Sequence, residues 1–153
     1  MDEIEVRIIK LEPMRVASAY GFGEQPEYIA WEKLLEWAKS QGFKDLGQHR
    51  FFGFNNPSPS PGSPNYGYEQ WMTVDQGVEG SEEIEIKEFP GGLYAVTRCE
   101  GLQHITEIWK KLVVWREDSR YREAHHQWLE ECFTPEVERL EDYVFDLYAP
   151  ITE

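Results

Sequence analysis

Two stretches of the chain carry the same order of hydrophobic and polar positions. Residues 6–38 read VRIIKLEPMRVASAYGFGEQPEYIAWEKLLEWA, and residues 84–115 read IEIKEFPGGLYAVTRCEGLQHITEIWKKLVVW. Each stretch has a short alternating run, a turn led by proline, a longer extended run that ends in glycine, and a run with helical spacing. Alternation is typical of half-buried strands, and recurrence every three or four residues is typical of amphipathic helices. The pattern therefore predicts a duplicated unit of strands and one helix.

Apolar residues recur at helical spacing in both copies. The first stripe is Tyr28, Trp31, Leu34, Leu35 and Ala38, and the second is Ile105, Ile108, Trp109, Leu112 and Trp115. Gly42 follows the first stripe and predicts the end of that helix. Packing of one apolar helix face on a sheet accounts for both stripes. Trp109 is the one member that we also expect to reach a pocket.

Each predicted helix is followed by further strands. Residues 50–54 (RFFGF) and 67–75 (GYEQWMTVD) are rich in aromatic and β-branched residues, which predicts an antiparallel hairpin. Residues 55–66 connect them and contain four prolines, which favours a long surface loop, either a lid or a tolerated insertion. After the second helix, residues 128–133 and a closing strand at 143–151 complete the second copy.

The polar and acidic residues 75–83 separate the two copies. We therefore predict one α+β domain over residues 1–153, with a first repeat at about 1–76 and a second at about 82–153. Tandem strand-helix-strand-strand units related by a pseudo-two-fold axis give antiparallel sheets with two main helices. A central ligand groove is expected between the halves.

Composition narrows the range of partners. The chain carries 15 basic and 29 acidic residues, a formal net charge of −14. This charge repels phosphate backbones and anionic lipids, which argues against direct binding of nucleic acid or membranes. No basic and apolar leader and no run of 18 apolar residues are present, so we expect a cytoplasmic protein. The sequence leaves open whether it is a monomer or a homodimer.

The first candidate site lies in the predicted strand at residues 68–73. Alternation places Tyr68 on one face of this strand and Glu69 and Trp71 on the other. A carboxylate beside an indole suits an organic cation, because the carboxylate supplies charge and the ring supplies a negative face. In the alternative, Trp71 packs in the core and Glu69 caps a backbone group or faces water.

The second candidate site is the pair Glu130 and Glu131 in WLEEC, where apolar neighbours favour an inward-facing acid. A desolvated carboxylate there attracts an organic cation or serves as a general acid or base; alternatively, both acids face solvent. The rings that we expect to line a cleft are Tyr20, Phe52, Phe54, Tyr68, Trp109 and Tyr148.

No motif indicates a metal, a cofactor or a nucleotide. His125 and His126 are adjacent and diverge on a strand or a helix, and Cys99 and Cys132 stand apart without a ligand-spaced partner. Glycine-rich phosphate loops and Ser-His-Asp arrangements are lacking. We therefore expect neither cofactor nor metal, and the sequence leaves open whether the protein is an enzyme.

Several segments together resemble the GyrI-like, or AraC-type effector-binding, domain family. They are FPGGLYAVTRCEG leading into ITEIWKKL, the acid in WLEEC, and the terminal FDLYAPI; RFFGFNNPSPSPGSPNYGYEQWMTVD resembles a stand-alone subgroup. The resemblance covers nearly the whole chain. It implies two tandem units with a central groove, often for drugs or dyes, in which a buried glutamate contacts cationic aromatics. That acid best matches Glu130, with Glu131 as a rival because Cys132 replaces the aromatic of the family.

Three functions follow from these readings. The first is a stand-alone, multidrug-type binding domain related to transcription regulation, in which Glu130 and Glu69 hold a cationic or amphipathic ligand for sensing or sequestration. The second, which the resemblance implies because some stand-alone relatives resemble such enzymes, is a hydrolase of strained electrophilic molecules, with Glu130 or Glu69 activating water and Tyr68 or Tyr148 donating a hydrogen bond. The third is a gyrase-inhibitor-like protein whose acidic surface contacts a protein partner, either a transcription regulator or gyrase.

Overall fold

A computed structural model describes residues 4–56, 61–134 and 137–153. The strands in these ranges are β1 (Arg7–Leu11), β2 (Met14–Gly23), β3 (Phe51–Asn55), β4 (Tyr66–Thr73), β5 (Ile84–Phe89), β6 (Gly92–Glu100), β7 (Arg122–Glu123), β8 (Leu129–Cys132) and β9 (Val144–Thr152). The α-helices are α1 (Pro26–Ser40) and α2 (Ile105–Glu117). Two helices with antiparallel strands confirm the predicted α+β class.

The chain divides into two compact units. The central unit comprises Met14–Phe89, and the terminal unit comprises Met1–Pro13 together with Pro90–Glu153. The strand order is β3–β4–β2–β5 in the central unit and β8–β9–β6–β1 in the terminal unit, where β7 also pairs with β9. These pairings are antiparallel.

Both units have the same strand order relative to their helix. The strand before the helix (β2 or β6) pairs on one side with β4 in the central unit or β9 in the terminal unit, and on the other side with a fourth strand. That fourth strand is β5 in the central unit and β1 in the terminal unit, so the first strand of each predicted repeat lies in the other unit. The order agrees with a duplication, which stays a prediction, as does the single domain over residues 1–153.

Helix α1 begins at Pro26, whose fixed φ suits a first helical turn. It ends before Gly42, which has a φ of 83° in the left-handed region, so the predicted stop is confirmed. The buried residues of α1 are Pro26, Ala30, Leu34, Trp37 and Ala38. The prediction that Tyr28 belongs to the buried stripe is wrong, because this side chain is 67% exposed. The helix presents Ala30 to the sheet, which brings its backbone close to β2.

Helix α2 covers one side of the terminal sheet with the residues that its spacing predicts. Leu112 is fully buried in the terminal core, and the other four members of the predicted stripe pack partly buried against it. The sheet contributes alternate residues of β9, among them Phe145, Leu147 and Ala149. The opposite face of β9 therefore carries Asp146 and Tyr148.

The hairpin predicted from residues 50–54 and 67–75 is confirmed as β3 and β4, which pair with Phe52 opposite Trp71. The predicted strands at 128–133 and 143–151 correspond to β8 and β9. Residues 57–60 of the proline-rich connection lie outside the described residues, so its role as a lid stays a prediction.

Replacing Gly21 by alanine should lower the free energy of unfolding by roughly 1–3 kcal/mol, the usual cost of overpacking. A Cβ atom at Gly21 would lie 2.3 Å from the carbonyl oxygen of Pro26 and 2.9 Å from the backbone nitrogen of Ala30. Because both are backbone atoms of α1, the whole helix must shift. Urea unfolding of Gly21→Ala and of the exposed control Gly47→Ala measures the difference. Equal stability of the two variants would contradict the close approach of α1 to β2.

Candidate functional site

The face of the central sheet opposite α1 gathers most of the predicted site residues. Gly21 points at α1, so the alternate residues Ser18 and Tyr20 point away from the helix. The strand register places on the same face Phe52, Phe54, Glu69, Trp71 and Lys87. Tyr68 lies on the α1 side, where its ring covers Gly53. Alternation thus separates Tyr68 from Glu69 and Trp71, as predicted.

Glu69 is buried, at 5% exposure, among hydrogen-bond donors. Its Oε1 accepts from Ser18 Oγ at 2.9 Å, Trp71 Nε1 at 3.0 Å and Lys87 Nζ at 2.7 Å, and its Oε2 accepts from Asn56 Nδ2 at 2.8 Å. Burial acts to raise the pKa of this carboxyl. The hydrogen bonds, led by the one from Lys87, outweigh burial and hold the pKa below its ordinary value. Glu69 is therefore an ionised carboxylate that is almost fully buried and held by donors of the protein.

Sequence reasoning missed the partners Ser18, Asn56 and Lys87. The signal that was available is the position of Lys87 in the alternating run IEIKEF, which puts a cation on the same face as Glu69. The Lys87 side chain is 33% exposed, against 7% for that of Glu69. The carboxylate predicted to hold a ligand cation therefore already holds a partly exposed cation of the protein itself.

The predicted rings differ in how far solvent reaches them. Trp71 packs edge-on against Phe54, with ring centroids 5.1 Å apart, and also contacts Phe89 at 5.3 Å. Phe52 is fully buried. Tyr20 is 41% exposed, with its hydroxyl beside Gly67. Tyr20 is thus the ring of this group that a solute reaches first.

A cavity of about 960 Å³ adjoins Glu69 in the central unit. The residues that line it are Ser18, Tyr20, Lys33, Glu69, Gly80, Ser81, Glu82, Glu83, Ile84, Glu85 and Lys87. The lining contains four glutamates and two lysines, which leaves it acidic when all six are ionised. Its volume is within the range of about 300–1,000 Å³ that is typical of small-molecule sites.

In the terminal unit, Glu131 is the buried acid of WLEEC. Glu131 is 3% exposed and lies on the face of the sheet opposite α2. The hydroxyl of Tyr148, 2% exposed, donates to Glu131 Oε1 at 2.6 Å. The Tyr148 ring meets the Tyr94 ring edge-on at 5.4 Å. Glu131, the rival assignment, is therefore the buried acid of the pair and the one that contacts Tyr148.

Glu130 lies on the other face of β8, toward α2. It is half-buried, and its Oε2 accepts a hydrogen bond from Trp109 Nε1 at 3.0 Å. The Trp109 ring also contacts Trp128 at 5.5 Å. The structure thus brings Glu130 and Trp109 together, but on the opposite face from Tyr148.

Asp146 is a buried acid that sequence reasoning missed. It is 3% exposed, and it accepts from Arg98 Nε at 2.7 Å and pairs with Arg7 at 2.9 Å. Asp146 lies opposite Arg98 on β6, as Glu69 lies opposite Tyr20 on β2. Each unit therefore buries one acid at an equivalent position and neutralises it with basic side chains. The sequence did offer a sign of this site, because Asp146 is the single charged residue in the predicted closing strand at 143–151.

Neither cysteine is a ready nucleophile. Burial, followed by the charges of Glu130 and Glu100, raises the pKa of Cys99 to about 11. Burial also raises the pKa of Cys132. Both thiols therefore stay protonated near neutral pH.

Metal ligands and membrane-spanning helices can be assessed for residues 4–56, 61–134 and 137–153. These residues contain no group of three or more His, Cys, Asp or Glu side chains placed to hold a metal ion. None of the helices found there has the length and apolar character needed to cross a membrane.

The sequence profile of the integron-associated effector-binding proteins, Cass2, matches residues 7–151. The chain belongs to this effector-binding family. The resemblance to GyrI-like effector-binding domains is thereby confirmed. No curated protein sequence matches the chain.

Solved structures share the fold at low sequence identity. The EcmrR C-terminal domain has a TM-score of 0.75 and 14% identity over 98% of both chains. EcmrR in a DNA complex has a TM-score of 0.75 and 11% identity over 98% of this chain, which spans 58% of that EcmrR chain. A hydrolase from Listeria innocua has a TM-score of 0.70 and 11% identity, covering 97% of this chain and 92% of its own. SAV2435 bound to tetraphenylphosphonium has a TM-score of 0.57 and 11% identity, covering 97% and 94%.

Glu69→Gln should lower the free energy of unfolding at neutral pH by roughly 1–3 kcal/mol, because the donors around Glu69 favour the ionised form. The carboxyl has a lowered pKa in the folded state, so its contribution is complete above its ordinary pKa of 4.5. The contribution shrinks below that pH and is lost as the pH falls through the lowered value. Denaturant unfolding of both proteins between pH 7 and pH 3 measures the difference. A gap that is independent of pH would contradict the ionised anchor.

Proposed function

We propose that this effector-binding domain holds a small organic cation with aromatic or amphipathic character in the cavity beside Glu69. The observation that carries the proposal is the ionised, buried carboxylate of Glu69 at the wall of an acidic cavity of about 960 Å³. Membership of an effector-binding family makes a small molecule the natural occupant. Tyr20 supplies an exposed ring at the same cavity.

Electrostatics favours a cation over an anion or a neutral molecule. The cavity has two more carboxylates than ammonium groups, and the whole chain carries −14. A protein field of this sign concentrates cations and repels anions. Aromatic faces add attraction for a desolvated cation, on the order of 1–2 kcal/mol. The complex of SAV2435 with tetraphenylphosphonium shows that a protein of this fold binds a lipophilic cation.

The net charge of −14 also limits how the domain could act in regulation. Sensing and sequestration both require only that the domain binds and releases its ligand. A domain with this net charge is repelled by DNA, so a regulatory role would act through a protein partner. In EcmrR, a domain of this fold belongs to a longer chain whose complex with DNA has been solved. We propose a ligand-binding role in the cytoplasm, carried out without direct contact to nucleic acid.

Titration with a cationic aromatic dye should quench tryptophan fluorescence saturably, and Glu69→Gln should weaken binding about tenfold or more. Trp71 reports on the site directly, because its indole donates to Glu69. Matched neutral and anionic dyes should not bind at the same concentrations. Glu36→Gln removes one charge from an exposed position of α1 and controls for net charge. Equal affinities of Glu69→Gln and Glu36→Gln would contradict Glu69 as the anchor.

The Glu131–Tyr148 pair favours a second candidate function, hydrolysis of an electrophilic small molecule. Glu131 would be the base for an attacking water, and the Tyr148 hydroxyl, which donates to Glu131 in this structure, would turn its hydrogen bond to the reacting group when the substrate is bound. The water oxygen would bond to an electrophilic ring carbon of a strained substrate while Glu131 accepts its proton. The strained C–C bond would break with its electron pair passing to the activating group, which would then take up the proton from Glu131. One structure of this fold is described as a hydrolase.

Catalysis of this kind would give time-dependent loss of a strained electrophile such as an activated cyclopropane. Tyr148→Phe and Glu131→Gln should each reduce the rate about 100-fold or more, the usual share of a general base or a placed donor. Chromatographic assay of substrate and product measures the rate. Consumption no faster than in buffer, with the wild-type protein folded, would rule out this second function for that substrate class.

A further inference from the structure

The two units differ at two positions beside their buried acids. In the terminal unit, Asp146 lies opposite Arg98 of β6. Arg7 of β1 lies opposite Val96, two residues before Arg98. Both guanidinium groups reach the carboxylate, Arg98 Nε at 2.7 Å and Arg7 Nη2 at 2.9 Å, and both side chains are about half exposed. Side chains from these two positions therefore converge on the acid from the solvent side.

The central unit carries an aromatic ring and a carboxylate at the equivalent positions. Tyr20 of β2 lies opposite Glu69. Glu85 of β5 lies opposite Ser18, two residues before Tyr20. The two arginines leave the terminal acid with one positive charge in excess, whereas Glu69, Glu85 and Lys87 together leave one negative charge in excess. The central face therefore lacks the cationic groups that the terminal face supplies itself.

Glu85 has a carboxylate that the protein leaves to solvent. It borders the cavity and is exposed. Within residues 4–56, 61–134 and 137–153, neither an ion pair nor a hydrogen bond holds its side chain. The ammonium of Lys87, two residues along β5, is bonded to Glu69 at 2.7 Å. A cation that enters the cavity can therefore pair with Glu85 without displacing a group of the protein.

The strand register sets the distance between the two acids. Their Cα atoms are two strands and two residues apart, which corresponds to about 12 Å. Glu69 leans toward the strand partner of Glu85, because its Oε1 accepts from Ser18 Oγ at 2.9 Å. A ligand therefore has to span less than the Cα separation. Tyr20 lies on the strand between the two acids and offers a 41% exposed ring to the body of an aromatic cation.

We propose that Glu85 is a second anionic contact of this cavity and that the ligand is an aromatic dication, with one cationic group at Glu69 and the other at Glu85. The two groups take the places that Arg98 and Arg7 fill in the terminal unit. This inference rests on the proposed function of the cavity and adds the number of charges on the ligand. Any cost of moving Lys87 aside is the same for a monocation and a dication, so it cancels from the ratio of their affinities.

The experiment compares benzamidinium with benzene-1,4-dicarboxamidinium, which adds a second amidinium group to the same ring. Isothermal titration calorimetry at about 0.15 M salt, which screens distant charges, gives both affinities. The proteins are the wild type, Glu85→Gln and Glu79→Gln. Glu79 is the matched control, because it is an exposed acid of the same connection between β4 and β5 that does not line the cavity. Both variants remove one negative charge, and only Glu85→Gln removes it from the cavity.

The wild-type protein should bind the dication about tenfold more tightly than the monocation. An ion pair at an exposed carboxylate contributes about fivefold, and the two equivalent ends of the dication contribute about twofold. Glu85→Gln should reduce the preference to about twofold, since only the two equivalent ends remain. Glu79→Gln should keep the wild-type preference.

Three results would overturn the inference, and they are distinguishable. If the monocation binds but the wild-type preference is about twofold, or Glu85→Gln leaves a larger preference unchanged, the cavity binds cations and Glu85 is not a second contact. If Glu79→Gln lowers the preference as much as Glu85→Gln, the effect is one of net charge alone. If neither cation binds any of the three proteins at millimolar concentration, the proposed function of this cavity fails, and the inference with it.

Discussion

A carboxylate that is removed from water must be surrounded by donors, and this requirement shapes the side of each sheet that faces away from its helix. In the central unit, Glu69 is met by donors from β2, β4, β5 and the residue that follows β3. In the terminal unit, Asp146 is met by arginines from β1 and β6. A shift of register by one residue in any of these strands would turn the acid or a donor to the other face. The buried acids therefore help to fix the strand register on which the rest of the site depends.

In each sheet, one face packs against a helix and the opposite face carries the buried acids. Helix α1 packs directly on the backbone of β2 at Gly21, and α2 packs on the apolar side of β9. The opposite faces carry the acids Glu69, Asp146 and Glu131. A buried and ionised carboxylate beside a cavity is suited to bind a cation, because the protein has already met the cost of its desolvation. Lys87 maintains that charge while the cavity holds no ligand.

Local pattern was enough to predict both helices, the β3–β4 hairpin and the strands β8 and β9, together with the α+β class and the separation of Tyr68 from Glu69 and Trp71. Alternation and helical spacing are properties of neighbouring residues, whereas the short strand β7 has no such pattern. Local pattern failed at Tyr28, since the choice of helix face depends on the close approach at Gly21, which is a tertiary contact. Which of Glu130 and Glu131 is buried on the side of the sheet away from α2 depends on which face of β8 packs against α2. That packing is a tertiary contact, and the local sequence does not show it. Lys87, Asn56 and Ser18 are separated from Glu69 by 13 to 51 residues, so a single sequence shows no reason to group them.

The central claim is that Glu69 anchors the ligand, and the indole N–H groups observed by NMR test it most directly. Trp71 Nε1 donates to Glu69, and Trp109 Nε1 donates to Glu130, so the two resonances report on the two acids that the sequence singled out. Titration of ¹⁵N-labelled protein with benzamidinium should shift the Trp71 indole resonance saturably and leave that of Trp109 in place. Movement of the Trp109 resonance with a stationary Trp71 would contradict the account and place the cation beside Glu130.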